Sequence, residues 1–187
     1  NASQINDTES NSRYKIIQIQ DITERKLAEE ELRMAASVFS NSLDGILIVA
    51  TDSTILKVNK AFERIFGYSA EEVIGQSTRI LQSKRHDKSF YEKMWSAINK
   101  NGGWQGEIWD RRKDGQVIPI WLSISTLYDV NGTPDRYIAI LYDITEQLMS
   151  KKRIDYLAHF DVLTGLPNRS LFLDRLTHSL VRSKRQN

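Results

Sequence analysis

Hydrophobic positions along the chain change their period several times, and the changes divide it into elements. Ala28, Leu32, Ala35 and Phe39 recur at spacings of four, three and four in a stretch rich in Glu, Lys and Arg. This predicts an amphipathic helix over 24–42 carrying a short heptad seam, which suits either a helix lying on its own domain or a coiled coil. From residue 45 the period shortens. Gly45–Ala50 and Ile55–Val58 read as two strands of a hairpin turning at Thr51–Thr54. Short helices follow near 60–66, 70–74 and 77–82, punctuated by Gly67 and Gly75. A longer one is predicted over 87–99, with Phe90, Tyr91, Met94, Trp95 and Ile98 on one face and Asn101-Gly-Gly103 as its stop. Three more strands, 104–112, 117–128 and 137–142, are joined by turns at Lys113-Asp-Gly115 and Asn131-Gly-Thr-Pro134. The order β-β-α-α-α-α-β-β-β predicts an α+β domain, a five-stranded antiparallel sheet with helices on one face. In the 117–128 strand Ile118, Ile120, Leu122 and Ile124 form the core row, and Pro119, Trp121, Ser123 and Ser125 face the other way.

Composition adds limits rather than shape. Of 187 residues, 40% are hydrophobic and 27% charged, an ordinary balance for a domain that needs no metal or disulfide staple. There is no cysteine. That removes disulfides, thiolate metal sites, cysteine nucleophiles and any photosensor working through a cysteine–chromophore adduct. No apolar run approaches the roughly 18 residues of a membrane span, and the polar stretch Asn1–Ser12 carries no hydrophobic signal segment. The net charge of +2 is uneven: residues 147–187 hold eight Lys/Arg against three Asp/Glu, net +5, which leaves −3 on residues 1–146. In the tail the charges alternate with apolar residues at helical spacing, the pattern of solvated helix faces, so no nucleic-acid partner is expected.

One motif occurs twice. Tyr14-Lys-Ile-Ile-Gln-Ile-Gln-Asp-Ile-Thr-Glu24 and Arg136-Tyr-Ile-Ala-Ile-Leu-Tyr-Asp-Ile-Thr-Glu146 align on Asp21 and Asp143, 122 residues apart. Each is a β-rich run, then Asp-Ile-Thr-Glu, then a charged helical pattern whose first turn Thr23 or Thr145 is placed to cap. A unit recurring near that length suggests tandem domains. Residues 1–23 then read as a polar tail and the last strand of an upstream copy.

The element order and its wording resemble the PAS fold. Asn59-Lys-Ala-Phe62, Ile65-Phe-Gly-Tyr-Ser69, Glu71-Glu72 and Gly75 are similar to that family's first half. Trp104-Gln-Gly-Glu107, Arg111-Arg-Lys-Asp-Gly115 and Asp143-Ile-Thr145 are similar to its second. The resemblance implies a PAS domain over 43–146, flanked by a linker helix at 24–42 and a signalling helix at 147–160. Further on, Asp161-Val-Leu-Thr-Gly-Leu-Pro-Asn-Arg169 resembles the opening of GGDEF diguanylate cyclases, so 161–187 reads as the start of such a domain. There Gly165 and Pro167 would end one helix and Asn168 would cap the next, whose buried face would be Leu171, Phe172, Leu176 and Leu180. No Gly-Gly-(Asp/Glu)-Glu-Phe run is present, so this stretch is not itself a cyclase. The resemblance implies a bacterial cytoplasmic module of cyclic di-GMP signalling, from a protein with or without a phosphodiesterase domain and membrane spans.

In PAS domains the hollow between the sheet and the long helix takes ligands, and some members are empty transducers. Haem needs an axial ligand, usually His; His86, the sole histidine of this region, reads as an exposed loop residue beside Lys84, Arg85 and Asp87. No His, Asp or Glu cluster has metal-ligand spacing. Phe90-Tyr-Glu-Lys-Met-Trp95 and Trp104-Gln-Gly-Glu-Ile-Trp-Asp110 resemble redox-sensing PAS domains that hold FAD. There a Trp, here Trp95, lies near the isoalloxazine, and an Asn fifteen residues on bonds its edge; that position is Asp110. A carboxylate only accepts where an amide also donates, so flavin, another small ligand and an empty hollow all stay open. Strand alternation puts Asp110 with Trp104, Gly106 and Ile108 on the pocket face. Asp143, Ile144 and Thr145 are expected to pass the signal to the helix that follows, through Leu148, Ile154 and Leu157, within a homodimer joined by its flanking helices. A ligand-free interaction scaffold is the alternative.

Overall fold

Alternation along three long strands decides which face of the main sheet is inside, and the helices complete the core from that side. The computed structural model describes residues 2–6, 13–17, 21–173 and 175–176, and the chain divides into two units, 1–41 and 42–187.

In the first unit β1 (Ala2–Asn6) and β2 (Arg13–Ile17) form an antiparallel hairpin with Ala2 opposite Ile17. A single strand was expected here. The segment Ala-Ser-Gln-Ile-Asn has too few apolar residues to read as a strand, and its pairing rests on backbone hydrogen bonds. Helix α1 (Thr23–Asn41) follows. Its entry differs from the expected threonine cap: Thr23 is the first helical residue, and its N–H donates to Asp21 Oδ1 at 2.9 Å. Leu32, Met34 and Val38 are exposed along α1, as are Ala28 and Ala35, whereas Phe39 is half-buried.

In the second unit β3 (Gly45–Ala50) and β4 (Ile55–Val58) form the first hairpin. Then come α2 (Lys60–Phe66), α3 (Ala70–Val73), a 3₁₀ turn (Thr78–Leu81) and α4 (Lys88–Asn101). Strands β5 (Gly103–Arg111), β6 (Val117–Tyr128) and β7 (Pro134–Asp143) complete the antiparallel sheet, ordered β4-β3-β7-β6-β5. Helix α5 (Thr145–His159) leaves from β7. The core unites Phe62, Phe66 and Ile98 from the helices with Ile55, Ile118 and Ile120 from the sheet, each almost fully buried.

Asn59 fastens the first hairpin to α2. Its Oδ1 accepts from the N–H groups of Phe62 and Ile46, each at 2.9 Å, while its Nδ2 donates to Asp44 O at 2.9 Å. A buried amide with these partners caps the helix at no desolvation penalty. Asp87 caps α4 through Phe90 N–H at 2.9 Å. Gly102 ends α4 at φ +74°, a left-handed conformation that glycine adopts without strain. The stretch between α3 and α4 bonds to both outer strands. Ile55 N–H donates to Gln76 O and Gly75 N–H to Ile55 O, each at 2.9 Å. At the other end Ser83 Oγ donates to Trp109 O, and Trp109 N–H donates to His86 Nε2 at 2.9 Å.

Beyond α5 the expected turn is present: Gly165 has φ +68°, Asp161 Oδ1 accepts from Thr164 N–H at 2.9 Å, and Asn168 Oδ1 accepts from Leu171 N–H at 3.1 Å. The expected buried face is not formed. Leu171 is half-buried and Phe172 and Leu176 are exposed, because no further described element packs against them; Leu180 lies outside the described residues.

Candidate functional site

Between the inner face of the sheet and α4 lies a cavity of about 140 Å³. Val49, Leu122, Ile124 and Leu141 supply its sheet wall, Met94 and Trp95 its helical wall, and Arg79 and Gln82 its edge. Asp110 and Ile108 line it from β5, Tyr91 from α4 and Tyr137 from β7. The Trp95 and Tyr137 rings meet edge to face at 5.3 Å between centroids.

Two polar groups in this apolar space lack partners. Asp110 is 7% exposed, and among the described residues its carboxyl makes no hydrogen bond or ion pair. Burial alone pushes it up from 3.8 to about 7. Tyr91 lines the same cavity; its hydroxyl is buried without a partner, and burial, then the Asp110 charge, raise its pKa. Tyr91 was expected on the packing face of the helix; what its sequence position could not reveal is that its hydroxyl is buried without a partner on a residue that lines the cavity.

Trp95, Ile108 and Asp110 thus come together, and Trp104 does not join them. Its ring crosses Gly106, where a β-carbon would approach it to 2.8 Å, and packs edge to face on Phe90 at 6.0 Å. Alternation fixes the face a residue shares but not its depth along the strand. His86 also differs from expectation. It is half-buried, stacks on Phe90 at 4.0 Å and accepts the Trp109 N–H. Burial, then Arg85, hold its pKa below the ordinary value.

These surroundings do not fit the two coloured cofactors. A flavin's edge calls for a group that both donates and accepts, and where the family resemblance places that contact this chain has the buried Asp110 carboxyl. His86 is not among the cavity residues and has committed Nε2 to the backbone. Among the described residues no three His, Asp or Glu side chains are grouped to hold a metal ion.

The β7 exit is the second feature. Asp143 Oδ2 pairs with Arg112 Nη2 at 2.6 Å, and its Oδ1 accepts from Thr145 N–H at 2.8 Å. Burial raises the Asp143 carboxyl, but Thr145 and Arg112 outweigh it and hold it below the usual carboxylate value. Ile144 is buried, its N–H donating to Pro119 O at 3.1 Å. As at Asp21, the carboxylate two residues back supplies the cap that the sequence suggested for the threonine. Leu148 is half-buried; Ile154 and Leu157 are exposed.

A PAS domain profile matches residues 43–146, more than half of the chain. The chain belongs to the PAS domain family. Over 139 residues it is 30% identical to the bacterioopsin transcriptional activator of Halobacterium salinarum, covering 73% of this chain and 20% of that protein. It is 25% identical over 151 residues to the cyclic di-GMP phosphodiesterase PdeR of Escherichia coli, covering 80% of this chain and 23% of that protein. The crystal structure of a PAS domain from Colwellia psychrerythraea superposes with a TM-score of 0.59 at 29% identity, covering 62% of this chain and 98% of that one. This PAS chain spans about a fifth of the length of the curated relatives it matches. It is a PAS sensory and regulatory module of the kind found in signalling proteins, and no described helix is long and apolar enough to cross a membrane.

Proposed function

We propose that this PAS module senses a small molecule in the cavity under α4 and passes the event through Asp143, Ile144 and Thr145 to α5, and so to a downstream domain of cyclic di-GMP metabolism. The observation that carries the reading is the continuity of β7. Tyr137, Ala139 and Leu141 line the cavity, and the same strand ends at Asp143, latched by Arg112 and capping α5. A shift of the cavity floor would therefore be felt at the helix start, and an occupant favouring one position biases the equilibrium between two. The downstream output is supported by Asp161–Arg169 and by similarity to a cyclic di-GMP phosphodiesterase. The exposed apolar residues of α1 and of α5 support a homodimer through flanking helices.

The test uses a longer protein in which this chain precedes its output domain. Cyclic di-GMP turnover should respond to occupancy of the cavity, and Asp143→Ala should abolish the response while leaving ligand affinity within about twofold. An unchanged response in that variant would exclude the route. Light scattering on the chain should give a dimer; monomer at all concentrations would exclude the dimer.

The outer sheet face favours a second reading, an interaction scaffold. Ile140 and Tyr142 are 41% and 37% exposed, and Trp121 beside them is half-buried. Loss of partner binding on Trp121→Ala with ligand binding intact would support it.

A further inference from the structure

We infer that the cavity under α4 is a receptor site for a compact organic ammonium ion, whose N–H donors are shared by the Asp110 carboxylate and the Tyr91 hydroxyl while its hydrocarbon body fills the apolar space. The inference rests on the sensing reading above and narrows it to a ligand class.

Unmade hydrogen bonds at buried groups are rare and costly. The Tyr91 hydroxyl is one such group, and the cavity that Tyr91 lines also holds the 7%-exposed Asp110, whose carboxyl makes no hydrogen bond among the described residues. The head group that satisfies both follows from their inventories. An ionised carboxylate only accepts, and a phenol accepts as readily as it donates. A ligand anion would meet a buried negative charge. A carbonyl compound could accept from Tyr91, and from Asp110 only while Asp110 holds its proton, a hold that weakens as pH passes about 7. An ammonium brings three donors and a compensating charge, which removes the reason for Asp110 to stay protonated near neutrality.

The walls agree with that choice. Tyr91, Trp95 and Tyr137 are three aromatic rings around a small space, and aromatic faces attract cations. The remaining walls are mostly aliphatic. Size limits the body: about 140 Å³ is close to the ~150 Å³ cavity that takes up benzene, so a ligand of about six non-hydrogen atoms fits. Besides Asp110, the groups lining the cavity that carry or can carry charge are Arg79, Tyr91 and Tyr137. Arg79 is exposed and forms no ion pair with Asp110, so its repulsion of a bound cation is screened by solvent.

The probe is isobutylammonium, with isobutanol and isobutyrate as controls of equal shape, followed by thermal melting and calorimetry on this chain. Isobutylammonium should raise the melting temperature and bind about tenfold more tightly at about pH 8 than at about pH 6, as Asp110 ionises through about 7. Asp110→Asn should weaken it at least tenfold. Tyr91→Phe should weaken it several-fold, and because Asp110→Asn removes a buried charge, that variant should still melt cooperatively. Tighter binding of isobutanol or isobutyrate would overturn the ligand class and leave the sensing cavity standing. Undiminished ammonium binding by Asp110→Asn would do the same. Failure of all three probes to bind would overturn the ammonium site, while the sensing reading stands or falls on the turnover response of the longer protein.

Discussion

Replacing Asp110 by Asn should make this PAS domain more stable, and the gain should depend on pH. An ordinary Asp ionises near 3.8, whereas Asp110 in the folded chain is pushed to about 7 by burial. Between those values the folded state holds a proton that the unfolded state has released. Stability therefore falls as pH rises through that window, by about 1.4 kcal/mol per unit. Over about three units the loss reaches about 4 kcal/mol and is complete above about pH 7; below about pH 4 there is none. Asparagine keeps the shape and never ionises. Urea melts of the two proteins should then coincide at about pH 4 and separate by up to about 4 kcal/mol at about pH 8, some 10 °C in melting temperature for a chain of this size. Carboxyls with lowered pKa, among them Asp143 and Glu72, titrate with the opposite sign. They are common to both proteins, so the difference curve isolates Asp110. Parallel curves at all pH values would refute the argument, because Asp110 would then have found a partner or water that keeps it ionised.

Arg112→Ala should cost about 1–2 kcal/mol, the strength of a charge-assisted hydrogen bond reduced by partial exposure, and raise the Asp143 pKa, read by urea denaturation and carboxyl NMR. Phe62→Ala, at a fully buried position, should cost about 3–5 kcal/mol in the same denaturation assay. The protection factor of the Trp109 amide, its slowing relative to the intrinsic rate at each pH, should fall as pH drops below the ordinary histidine value: protonated His86 cannot accept its N–H, and the folded-state pKa, already depressed, means this stability is lost as pH drops. Amide exchange by NMR, with His86→Ala as the fully released reference, checks it.

The strands, the long helix and the antiparallel sheet were legible because each carries a period that burial enforces. Ile118, Ile120, Leu122 and Ile124 alternate in sequence and are all buried. The pocket face of Asp110 was legible for the same reason. What failed depends on depth or on loop geometry. Trp104 and Asp110 share a face, yet the Trp104 ring folds over a glycine rather than into the cavity. The strap bearing His86 turns through Lys84 at φ +63°, a left-handed conformation that a lysine does not advertise. The caps were misread because Asp and Thr, two residues apart, both suit the role. Tyr91 and Asp110 reach one cavity from a helix and a strand, and no single element's pattern contains that meeting.

The segment between α3 and α4 hydrogen-bonds Ile55 at one margin of the sheet and Trp109 at the other. Such margins are where β-proteins polymerise, since unpaired backbone groups there recruit another chain. By clasping both, one stretch of irregular chain acts as a belt that guards against edge-to-edge growth, leaving the faces and helices as routes to assembly. That protection matters most where similar domains stand in tandem, because each neighbour would otherwise present a template at high local concentration.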